Sequence, residues 1–144
     1  MPFFENNSRS DLRTVYLGAW RKHQERLPLT PLEAQVVDVI GDHPEYQALF
    51  DDAQAALHAD YSPDGGRENP FLHMATHLAI RDQVAIDRPS GIRPAFETLA
   101  RRRSKLEAEH AMGELLMEFV WQAQRSGVPP DEQVYLRRVQ KLIR

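Results

Sequence analysis

The 144-residue chain predicts an all-α fold, and three observations carry that expectation. Apolar residues recur at three- and four-residue spacing in one segment after another, the period of a helix face. Thr30-Pro31-Leu32-Glu33 and Asn69-Pro70 are helix-start signals, a capping residue followed by proline at the first helical position. No pair of alternating runs reads as two strands. The expected architecture is a helical bundle of four main helices plus a C-terminal helix, in one domain spanning 1–144, with residues 1–9 as an extended N-terminal arm.

Composition narrows the class. A chain of this length buries roughly 68–70% of its unfolded surface, so it needs neither disulfide nor metal to fold. Zero cysteines removes disulfides, thiolate zinc sites and iron–sulfur clusters together. It agrees with a reducing cytosol, and the expected location is cytoplasmic. The N-terminus has no cationic region followed by an apolar run, which argues against a signal peptide, and no stretch approaches the ~20 apolar residues of a membrane span. A net charge of −3 gives no global pull toward nucleic acid or anionic lipid.

The first helix is expected from Ser10 to Arg26, with Leu12, Val15, Tyr16, Ala19 and Trp20 on its apolar face and Arg13, Arg21 and Lys22 elsewhere on the wheel. Ser8 or Ser10 is its candidate cap, and Leu27-Pro28 closes it. The capping box Thr30–Glu33 opens the second, whose face is Leu32, Val36, Val39 and Ile40. Gly41-Asp42-His43 interrupts it. Pro44 then starts helical structure through Leu57, as one kinked helix or two. Asp60 to Gly66 reads as a loop. Asn69-Pro70 opens a helix to about Ile86 that is apolar almost all round, hence central. A turn over 87–91 leads to the longest helix, about 94–125, closed by Gly127 and Pro129-Pro130. The final helix runs from Asp131 to Leu142.

The least ordinary residues lie on the Asn69–Ile86 segment. His73 and His77 are four apart, therefore stacked on one face, and Ile80 and Val84 continue that stripe. Two inward imidazoles suggest a metal site in a bundle. His73 stands in the first turn, where the positive end of the helix dipole disfavours imidazolium and so favours the neutral form a ligand needs. On the longest helix, His110 pairs in spacing with Glu114, and Glu109 borders the same apolar stripe. His43 stands just before Pro44. The expected metal set is therefore His73, His77, His110 and His43 with Glu109 or Glu114, holding zinc or iron. His23 and His58 read as surface residues. Were the site catalytic, metal-bound water would react and Glu109 or Glu114 would accept its proton.

The run Asn69 to Arg81, with Asp87-Arg88-Pro89-Ser90-Gly91-Ile92 downstream and Pro31-Leu32-Glu33-Ala34 and His43-Pro44-Glu45-Tyr46 upstream, resembles the uncharacterised bacterial family named domain of unknown function 1841. The resemblance covers nearly the whole chain and implies no activity. It does imply a histidine where this chain has Gln47 and another where it has Leu106, so that three His-x-x-x-His pairs would meet in space. Here only His73/His77 is whole, and His43 and His110 are survivors of pairs. The arrangement is also similar to hemerythrin-like bundles, with the order of the His-x-x-x-His and His-x-x-x-Glu pairs reversed.

Competing readings stay open. The histidines of a metal-free structural or interaction module would form a buried hydrogen-bonded network, and the edge of the terminal helix (Tyr135, Leu136, Val139) would face a protein partner or a second copy. Arg81, mid-way along an apolar helix, needs a counter-charge. Either it forms a buried ion pair with Glu109 or Glu118, or it binds an anionic small molecule beside the histidines. Arg101-Arg102-Arg103 with Lys105 reads as a solvated helix face rather than a nucleic-acid contact, since aromatic interleaving is absent. No nucleophile elbow or phosphate loop occurs. The residues name no reaction.

Overall fold

The computed structural model describes residues 9–59, 61 and 68–144. Among them run seven α-helices and one 3₁₀ segment, with no strand: α1 (Arg9–Gln24), α2 (Pro31–Gly41), the 3₁₀ segment (Pro44–Asp51), α3 (Ala53–His58), α4 (Pro70–Ile86), α5 (Ile92–Arg102), α6 (Lys105–Ser126) and α7 (Glu132–Lys141). The protein is all-α. Its backbone divides into two compact units, Met1–Leu78 and Ala79–Arg144, with the boundary inside α4. Of the arm expected over residues 1–9, Arg9 belongs to α1, and residues 1–8, with the candidate cap Ser8, lie outside the described residues, as do the loop residues Asp60 and 62–66. The backbone of Ser10 is helical, within α1.

In the first unit, local chemistry places each helix end. Leu27 N–H reaches the Lys22 carbonyl and Arg26 N–H that of His23, a Schellman closure with Arg26 in the left-handed region at φ 59. Thr30 and Glu33 form the full reciprocal capping box of α2. Asp52 caps α3 by accepting from Ala55 N–H. The Asn69 side chain accepts from the N–H groups of Phe71 and Leu72, and Pro70 fills the first turn of α4, where an N–H would lack a partner anyway. Tyr16 and Ala19 of α1, Val36, Val39 and Ile40 of α2, Ala56 of α3, and Phe71, Met74 and Leu78 of α4 share one core. Leu32, expected on the buried face of α2, is exposed, and so is Val15 of α1.

Arg13 departs furthest from its wheel position. Instead of facing water it is buried, 1% exposed. Its Nη1 donates to the carbonyls of Ala56, Leu57 and Ala59 at 3.0, 3.2 and 2.7 Å. Those carbonyls lie at the C-terminal end of α3, where the helix dipole favours a cation. The guanidinium also lies 5.2 Å from the Tyr61 ring centroid and 5.1 Å from that of Phe71, within cation–π range.

In the second unit, the helix expected over 94–125 is two. Arg103 leaves the helical region at φ −114, ψ −98, and the Ser104 hydroxyl accepts from Glu107 N–H to start α6 afresh. A serine cap contributes about 1 kcal/mol. The Ser104-x-x-Glu107 spacing is a start signal inside a stretch whose apolar period never lapses. Ile80, Ile92, Ala95 and Leu99 pack with Ala108 and Met112 of α6 and with Tyr135, Leu136 and Val139 of α7. The α7 residues expected at an exposed edge are thus core residues, because α7 turns its one apolar face inward. Asp87 closes α4 in the left-handed region, φ 52, and its carboxylate accepts from the N–H groups of Gly91 and Arg93 at the start of α5. Gly91 needs its φ of 102, a conformation L side chains avoid.

Candidate metal centre

The C-terminus of α2 presents its last carbonyls to the residues that follow, and His43 answers two of them. Its N–H bonds to Ile40 and its Nδ1 lies 2.7 Å from the Val39 carbonyl. A carbonyl only accepts, so Nδ1 carries a proton, and in the neutral ring the lone pair is then on Nε2. Pro44 holds His43 out of the helical region, at φ −126, ψ 66. The ring is buried, 4% exposed, and stacks on Tyr46 with centroids 5.5 Å apart and planes 8° from parallel.

One turn apart on α4, the other two rings complete the group. His77 is buried and His73 half-buried. Their Nε2 atoms are 3.2 Å apart, and His73 Nδ1 lies 2.8 Å from Glu68 Oε1. His43 meets His77 with ring centroids at 4.6 Å and His73 at 5.1 Å. One ligand nitrogen from each of His43, His73 and His77 falls within 4.8 Å of the others. A tetrahedral zinc, with Zn–N bonds of about 2.0–2.1 Å, spaces its nitrogens about 3.3 Å apart. The α4 pair already has that spacing.

The remaining expected ligands belong to α6, in the second unit. Both oxygens of Glu109 are held by Arg81, Nε to Oε2 at 2.9 Å and Nη2 to Oε1 at 3.1 Å, with Glu109 1% exposed. That bidentate fork occupies the atoms a metal would need. His110 and Glu114 are exposed on α6. Gln47, at the position where the resemblance implies histidine, donates its side-chain amide to the Ile40 carbonyl at 3.4 Å. His23 and His58 are exposed.

Glu68 and Tyr46 were not singled out from sequence. The Tyr46 hydroxyl donates to Glu68 Oε2 at 3.4 Å. Burial, aided by the Glu68 charge, pushes its pKa up to about 12, so it remains a donor at neutral pH. A glutamate five residues before a histidine carries no recognisable pattern.

Fold and site together define an all-α protein with three histidines, from two segments, gathered in its first unit. The chain belongs to the family described as Domain of unknown function (DUF1841), whose model matches residues 8–141. No curated protein and no solved structure matches it. Among the described residues, no helix is long and apolar enough to cross a membrane.

Proposed function

We propose that His43, His73 and His77 bind a divalent transition metal, zinc or iron, through three neutral imidazoles. The observation that carries this reading is the convergence of three ligand nitrogens within 4.8 Å, two of them 3.2 Å apart. Supporting it, His43 donates its other ring nitrogen to a carbonyl and His73 to a carboxylate, the outer contacts that orient ligating histidines and raise their basicity. Three imidazoles suit zinc, iron, copper or nickel better than magnesium or calcium. A three-histidine set leaves a fourth position for water or a substrate atom, although no reaction follows from that alone.

A second reading is a metal-free core, favoured by the same 3.2 Å separation, which also suits one N–H···N hydrogen bond between His73 and His77. The two readings differ in what fills the gap, a proton or a cation. Purified protein supplemented with zinc and then desalted is expected to retain about one ion per chain. His43→Ala, His73→Ala and His77→Ala should each retain far less, and His110→Ala as much as the parent. Near-zero zinc in the parent protein, with cobalt(II) giving no visible ligand-field bands, would leave the metal-free core as the function of these residues.

A further inference from the structure

We propose that Glu68, steadied by Tyr46, is the positioning residue that selects the ring tautomer of His73 and thereby aims its Nε2 lone pair into the three-histidine group. Its consequence for metal affinity rests on the metal-binding reading above; its consequence for the tautomer does not.

A neutral imidazole carries one proton and has two places to put it. With the proton on Nε2, His73 would turn its Nδ1 lone pair toward the Glu68 carboxylate oxygen 2.8 Å away, two acceptors in contact with no hydrogen between them. With the proton on Nδ1, the same contact becomes a charge-assisted hydrogen bond. The carboxylate therefore settles the choice, and the Nε2 left bare is the atom 3.2 Å from His77 Nε2. His43 is fixed the same way by the Val39 carbonyl, but there the backbone decides; at His73 a side chain does, so the effect can be removed by mutation.

Glu68 is mostly exposed, its side chain 66% accessible, and an unaided glutamate there would sample many rotamers. Tyr46 restrains it. The hydroxyl reaches the second carboxylate oxygen at 3.4 Å, while the ring lies flat on His43 and edge-on to His73, centroids 5.5 and 5.7 Å apart. One tyrosine thus touches two of the three histidines and the carboxylate that orients one of them.

The test uses the full chain at pH 8, with ¹⁵N shifts of the histidine rings read without metal and cobalt(II) affinity read by titration. In the parent protein, His73 should be protonated at Nδ1 and bare at Nε2. Glu68→Ala should let it move toward the Nε2–H form that a solvated imidazole prefers, and should weaken cobalt binding 10- to 100-fold, the usual cost of losing such an outer contact. Glu68→Gln keeps an acceptor oxygen, so it should restore the Nδ1–H form and part of the affinity. Because Glu68 is exposed, all variants should keep the parent's helical circular dichroism. An unchanged His73 tautomer in Glu68→Ala overturns the proposal, whatever the metal does. If the parent binds no cobalt while the tautomer shifts as described, the metal reading fails and the positioning role stands.

Discussion

A guanidinium inside an apolar core persists only where dipoles or counter-charges replace the water it has lost. Arg13 finds them in the carbonyls of Ala56, Leu57 and Ala59 and in the faces of Tyr61 and Phe71. Methionine fills similar volume without donating, so Arg13→Met should lower stability by about 2–3 kcal/mol, the scale of a charge-assisted hydrogen bond. Urea denaturation at pH 7 measures it, and a loss below about 0.5 kcal/mol would mean the carbonyls are equally content without the cation. Sequence periodicity put this arginine on the wet side of α1, because a wheel records spacing and not the arrival of another helix's end. The same limit applied to Glu68. By contrast His73 and His77 needed only the helical repeat to stand together.

At the scale of the element, a single side chain can serve two helices. Asp87 ends α4 in a left-handed conformation and accepts from the first N–H groups of α5. The Arg93 and Gly91 backbone donors hold its pKa below its ordinary 3.8, with the Arg93 bond the largest cause. A carboxylate with a depressed folded-state pKa stabilises fully above its unfolded value and loses that contribution as pH falls through the folded one. Asp87→Asn keeps the left-handed preference but removes the charge. The variant should therefore be less stable than the parent at pH 6, and the gap in urea midpoints should narrow as the pH is lowered past the ordinary carboxylate value of 3.8. A gap of constant size across that acidification would assign the effect to the turn rather than to ionisation. The break at Ser104 belongs to this scale too: one hydroxyl restarts a helix that apolar spacing alone runs straight through.

For the molecule as a whole, a ligand that binds only the folded state adds stability by mass action. Zinc at a hundredfold excess over its Kd should add about 2.7 kcal/mol and raise Tm, and chelator should reverse the gain. His77→Ala should show neither change. Acidification should shrink the gain, because each imidazole must shed its proton to bind. Identical melting curves in zinc and in chelator would exclude a folded-state metal site. The net charge of −3 and the family match over residues 8–141 bear on the entire chain, yet neither names a partner.

Read alone, the amino-acid order determined what short-range physics controls: the all-α class, the capping box at Thr30, the proline-led start of α4, the glycine end of α6, and the shared face of His73 and His77. These follow from hydrogen bonds and side-chain spacing within a few residues. Tertiary structure decided which of the expected ligands cluster with the α4 pair, namely His43, and that Arg81 takes Glu109 rather than Glu118; it alone decided that the α7 face is core and that Arg13 is buried. Each of those depends on which surfaces meet across tens of residues of chain, and the period of a helix says which face is apolar without saying what it will touch.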